Sequence, residues 1–144
     1  MIMMLINDKL KNIIRKLDIN EYIKLVMLFG SRARGDYNKN SDFDIAILME
    51  ENYLDQINPL ELRSELITRF TSELAEECDV VLINQATPLL KYQIVKYGEV
   101  IYITPEMGYS TFFSKVVKEH LDFKYYKKLH HDRMLKRLNG DGEN

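Results

Sequence analysis

Cysteine is almost absent. Cys78 is the single one in 144 residues, which excludes an internal disulfide framework and suits a reducing compartment. The three histidines, His120, His130 and His131, have no Cys or His partner at the spacing a zinc site requires. An excess of one charge is lacking too. Twenty basic against 22 acidic residues leave a formal net charge of -2, whereas a general nucleic-acid binder carries a strongly basic footprint. Long apolar runs are missing. None approaches the roughly 20 residues of a membrane span, and the apolar start, 1–6, is too short for a secretory signal and has no basic region before it. Repeats and low-complexity segments are also absent. These absences predict a cytoplasmic protein with no membrane partner and no direct nucleic-acid binding.

What is present is an ordinary globular sequence, 46% apolar, long enough to bury a core and read as a single domain over 1–144. Leu10, Ile13, Ile14 and Leu17 follow the stripe of an amphipathic helix over 8–17, with Asn7 or Asp8 as its cap. Apolar runs at 24–29, 43–49, 78–83 and 99–103 read as strands. Asn58-Pro59 starts a helix by its cap residue and by proline at the first helical position, with Glu61 closing a capping-box-like arrangement. Leu62, Leu66 and Phe70 then stack on one face of it. Thr87-Pro88 opens another helix over 89–97, which Gly98 stops at the position after the last turn. From 108 to 138 the pattern is helical again, with Asn139-Gly140-Asp141-Gly142 as a stop. Its basic end, with Tyr125 and Tyr126, reads as a helix with one packed and one solvated face ahead of a nucleic-acid patch, with a surface for a protein partner as a third option. The alternation predicts an α/β (α+β) fold: a small mixed β-sheet packed with helices, its core at about 8–104, followed by a C-terminal helix at about 108–138. Strand order stays open.

Chemistry concentrates between residues 29 and 48. An apolar strand ends at Phe29, Gly30-Ser31 follows, then a basic loop, then Asp42-Phe43-Asp44 leading into a second apolar strand. Side chains two apart on a strand share a face, so Asp42 and Asp44 lie side by side and repel. A magnesium ion, with its preference for hard oxygen ligands and substrate phosphates, answers that repulsion. Gly30 permits a sharp turn and close approach of a ligand. Ser31 would open a short helix whose free N–H groups favour phosphate. Arg32 and Arg34 add forked donors suited to phosphate oxygens, and Lys39 is a weaker version of the same feature. A phosphate cradle ahead of a carboxylate pair reads as a nucleotidyl-transfer site. Cys78 reads as a core residue.

Gly30-Ser31, ten intervening residues and Asp42-Phe43-Asp44 together resemble the signature of the DNA-polymerase-β-like nucleotidyltransferase superfamily. Gly-Ser-Arg-Ala-Arg-Gly with Ser-Asp-Phe-Asp resembles its minimal nucleotidyltransferase (MNT) branch, the MntA-type antitoxins. The resemblance implies the nucleotidyltransferase fold. It also implies a third acid on the next core strand, for which Asp79 stands at the right place and Glu76 and Glu77 are the alternatives. Two magnesium ions would be held by Asp42, Asp44 and Asp79, and the terminal phosphates of ATP by Gly30, Ser31 and Arg34. The activity implied is transfer of AMP from ATP to a tyrosine of a helical HEPN ribonuclease toxin, with release of pyrophosphate, in a hetero-oligomer with that toxin. No Arg precedes any His at the Arg-x4–6-His spacing of the toxin family, so this chain is not itself the toxin. Two other readings stand beside this one: an antitoxin acting by binding alone, and an adenylyltransferase for a small molecule of the aminoglycoside type. An intact Gly30, Ser31, Asp42 and Asp44 argues against the first, and the shortage of chain for a second helical domain argues against the other.

Overall fold

The computed structural model describes residues 2–30 and 42–141. In chain order these form α1 (Ile2–Lys16), β1 (Ile23–Phe29), β2 (Phe43–Met49), α2 (Glu51–Leu54), α3 (Pro59–Leu74), β3 (Cys78–Leu82), α4 (Pro88–Tyr97), β4 (Glu99–Ile103) and α5 (Tyr109–Asp141), with short 3-10 turns at Asn20–Tyr22 and Ile83–Gln85. They fall into two compact units, Met1–Gly108 and Tyr109–Asn144.

The first unit is built on one mixed sheet with strand order β3-β2-β1-β4. β1 pairs antiparallel with both β2 and β4, and β2 runs parallel to β3. A parallel pair needs a long crossover rather than a hairpin, and α3 lies within it. Leu25 to Leu28 are all buried, as a central strand covered on both faces requires. On one face Val26, Leu28, Phe43, Ile45, Ile47, Val80 and Leu82 join Leu10, Ile13, Ile14 and Leu17 of the α1 stretch and Leu62, Leu66 and Phe70 of α3 in a single apolar cluster. Alternation then puts Leu25, Met27, Asp44 and Asp79 on the other face. The expected mixed sheet packed with helices is therefore what the chain forms.

Local signals explain most boundaries. Asn58 caps α3, its side chain accepting from the N–H groups of Leu60 and Glu61, with Pro59 at the first helical position. Thr87 caps α4 in the same way, accepting from Leu90 N–H. Other boundaries show finer differences from the sequence reading. α1 begins at Ile2 rather than at an Asn7 or Asp8 cap; Asn7 lies within the helix, its Nδ2 donating to Glu99 Oε1 at 3.0 Å. α4 does end before Gly98, but that residue has φ -81, not a left-handed backbone. Glycine is needed there for space: a Cβ would run into the carbonyl of Ile94 and lie 3.1 Å from that of Leu28. The left-handed cap is instead Ala75, at the end of α3, with φ 55. Finally, α5 runs to Asp141, within the 139–142 stretch expected to stop it and a few residues past 138.

Past the end of β3 the sheet is continued by a side chain. Asn84 Oδ1 accepts from Met49 N at 2.9 Å and its Nδ2 donates to Met49 O at 2.9 Å. This amide takes the place of a strand neighbour at the far end of β2, opposite the end that carries the acids.

Candidate active site

Gly30 ends β1 with φ +78, in the region that glycine enters without steric cost. A Cβ built on it would collide with the Asp44 carboxylate, with Asp44 Cγ only 3.1 Å away. The turn and the acid are thus in van der Waals contact, as a site that brings backbone and carboxylate to one ligand requires. Register places them together: Phe29 lies opposite Asp44 in the antiparallel ladder, and Asp44 lies opposite Asp79 in the parallel one. Three adjacent strands therefore bring Gly30, Asp44 and Asp79 to one edge of the sheet.

Asp44 is half-buried and Asp42, just before β2, is exposed. Burial pushes the Asp44 carboxyl above its ordinary value, and the negative charges of Asp79 and then Asp42 push it the same way. The like charges anticipated from sequence are therefore close enough to act on one another. Asp79 is held differently. Its Oδ1 accepts from Arg63 Nη2 at 2.8 Å and from Val80 N at 2.9 Å, while Arg63 Nε donates to Val80 O at 2.6 Å.

The donor chemistry fits a hard cation: carboxylate oxygens, one of them desolvated and crowded by two others. Among the described residues, however, no group of three or more His, Cys, Asp or Glu forms a ready-made metal cage. Magnesium does not need one, since it is commonly held by one or two carboxylates and completed by substrate phosphates and water.

Ser31 and Arg34, with Arg32 and Lys39, lie outside the described residues. Glu76 and Glu77, the alternatives to Asp79, are exposed on the turn before β3, and register puts Asp79 rather than either of them opposite Asp44. Cys78 is buried. Arg63 escaped the sequence reading altogether. It sits 16 residues before its partner on an otherwise unremarkable helix face, and only the crossover brings the two together.

The sequence matches the family described as Polymerase beta, Nucleotidyltransferase over residues 11–107. The chain belongs to the polymerase-β nucleotidyltransferase family. This nucleotidyltransferase is 32% identical over 114 residues to protein adenylyltransferase MntA of Aphanizomenon flos-aquae, a match covering 74% of this chain and 75% of the relative. It is 34% identical over 84 residues to the protein of the same name from Shewanella oneidensis, covering 58% and 57% of the two chains. In fold it is similar to a crystal structure of a toxin–antitoxin with AMP-PNP, at TM-score 0.73 and 26% identity, covering 90% of this chain and 98% of that one. A structure of a tri-AMPylated Shewanella oneidensis HEPN toxin in complex with an MNT antitoxin shares the fold, at TM-score 0.68 and 23% identity over 92% and 98% of the two chains. Among the described residues, no helix is long and apolar enough to cross a membrane.

Proposed function

We propose that this nucleotidyltransferase is an antitoxin that transfers AMP from ATP to a tyrosine of a HEPN ribonuclease toxin, acting in the cytoplasm and in complex with that toxin. The observation that carries the nucleotidyl-transfer chemistry is the contact between Gly30 and Asp44 at the mouth of β1 and β2. A turn that no other residue fits without strain is pressed against a crowded carboxylate, in the place where the family signature puts its nucleotide. A protein as acceptor is supported by the MntA relative, 32% identical over 114 residues. ATP as donor is supported by the structural neighbour that holds AMP-PNP.

In this reading Asp42 and Asp44 would hold magnesium, Asp79 would be the third carboxylate, and Gly30 with Ser31 and Arg34 would hold the terminal phosphates. When bound, magnesium would supply Lewis-acid stabilisation of the charge developing on the α-phosphate and on departing pyrophosphate. The chain's own contribution is position and field. The Gly30 turn lets phosphate oxygens approach main chain without a side chain between them. Asp44, fixed by pairing on both sides, keeps its negative charge at one point of the sheet edge. Asp79 would take the proton of the attacking tyrosine hydroxyl as that oxygen closes on phosphorus. Little covalent work falls to the protein in such a transfer.

The test is intact-mass spectrometry of a co-expressed HEPN partner after incubation with ATP and magnesium, comparing wild type with Asp42→Ala/Asp44→Ala. A mass gain of one AMP or a multiple, absent with the variant, is the expected result. No gain, with the toxin silenced equally by both proteins, overturns the reading and leaves neutralisation by binding alone.

A further inference from the structure

We propose that Arg63 is a positioning residue of this site, one that holds the Asp79 carboxylate in place beside Asp44 before nucleotide or metal arrives. The inference rests on the nucleotidyl-transfer reading of Asp79 and adds a residue to it. Arg63 springs from α3, next to core residue Leu62, on the side of the sheet away from Asp79. β3 is an outer strand, and the guanidinium passes round its free edge. There Nε donates to the carbonyl of Val80 at 2.6 Å and Nη2 to Asp79 Oδ1 at 2.8 Å. Val80 N donates to the same oxygen at 2.9 Å. One carboxylate oxygen is thereby fixed by two N–H groups, and the other is left to serve the site.

The geometry suits orientation better than it suits stability. The Arg63 and Asp79 side chains are 43% and 44% exposed, and an ion pair so open to water adds little to folding. Orientation has a clear purpose, however. Asp79 lies opposite Asp44 in the parallel ladder, and without the guanidinium its carboxylate would be held by the Val80 N–H alone. The tether also requires arginine. A rigid fork reaches a strand carbonyl and a carboxylate at once, and a lysine ammonium does not reproduce that planar geometry.

The experiment titrates manganese, as a spectroscopic stand-in for magnesium, into the full-length chain with α,β-methylene-ATP, reading free ion by electron paramagnetic resonance. No turnover is needed. Arg63→Lys keeps the charge and loses the fork. It is expected to raise the manganese Kd about tenfold, at the lower end of what loss of an orienting partner costs a metal site, without lowering the melting temperature appreciably. In an Asp79→Asn background the same substitution is expected to change nothing further, because its effect passes through that carboxylate. Unchanged affinity in Arg63→Lys overturns the proposal, as does an equal loss in both backgrounds. Arg63→Gln decides the sign: tighter manganese binding on its removal would overturn positioning and mark the pair as a latch that parks Asp79 away from the metal. A wild-type chain that binds manganese with the analogue yet leaves the toxin unmodified would refute the protein acceptor and leave the Arg63 role standing. A wild-type chain that binds neither would overturn both.

Discussion

At Asp44 a carboxylate is pressed against the Gly30 turn and set opposite Asp79, and its pKa is raised by burial first and by neighbouring acids second. Folding therefore makes Asp44 bind its proton more tightly. Between the ordinary carboxylate pKa and the raised one, the native chain holds more protons than the unfolded chain. The stability of the metal-free protein must then fall as pH climbs through that window, and recover as pH drops back through it. Asp44→Asn removes the charge, so the metal-free variant is expected to melt higher than wild type at neutral pH, by an amount in the range of about 0.5–2 kcal/mol typical of relieved surface and site conflicts. AMP transfer should be lost at the same time. Thermal melts of both proteins at neutral and mildly acidic pH check this, since the difference should shrink on acidification. Gly30→Ala is expected to do the reverse, lowering stability by about 1–3 kcal/mol through left-handed strain and the clash with Asp44. A denaturant midpoint measures that loss. Both residues were legible in the sequence, because a glycine at a strand end and two acids at alternate positions are local patterns. Arg63 was not, since nothing within a few residues of it betrays a partner that only the crossover supplies.

Among the elements, the caps show what a short stretch of sequence can and cannot specify. Asn58 sits where a cap was expected, its oxygen accepting from Leu60 N at 3.0 Å and Glu61 N at 3.4 Å. Asn58→Ala is expected to cost about 1 kcal/mol, read as a shift in the denaturation midpoint. Asn7, an equally plausible cap by residue type, is not one. Its amide is drawn to Glu99, 92 residues away, and the helix runs through it. Gly98 follows the last turn of α4 as expected, but space rather than backbone angle requires a glycine there: the packing of α4 against β1 leaves no room for a Cβ, whereas the left-handed helix end is at Ala75. Periodicity matches every strand of the described residues within a residue or so. It could not give their order, because β2 meets β3 through a crossover and β1 meets β4 across some 75 residues of chain.

The whole molecule divides into a sheet-based unit and a helical one, and the two differ sharply in what they cover. β1 has four successive buried residues, Leu25 to Leu28, and hydrogen-bonded neighbours on both sides. Along α5, every side chain from 121 to 140 is exposed except Leu129, which is half-covered. Exchange protection follows burial and cooperative contact. Amides of β1 are expected to exchange only on global unfolding, and those of the second half of α5 with opening free energies lower by about 3 kcal/mol or more. Native-state hydrogen exchange read by mass spectrometry would separate the two. The unequal covering bears on the proposed partnership, since the exposed stretch carries Phe123, Tyr125, Tyr126, Met134, Leu135 and Leu138.

The Arg63 fork has a second consequence, one that concerns how the molecule keeps to itself. An outer strand offers unpaired main-chain groups to any other strand that drifts alongside, which is the usual route to sheet-to-sheet aggregation. On β3 the Val80 carbonyl is already occupied by Arg63 Nε, and a bulky cation lies over the margin. The contact that holds Asp79 on one face of the sheet thus also fences its open border, and loss of Arg63 would cost solubility at that margin.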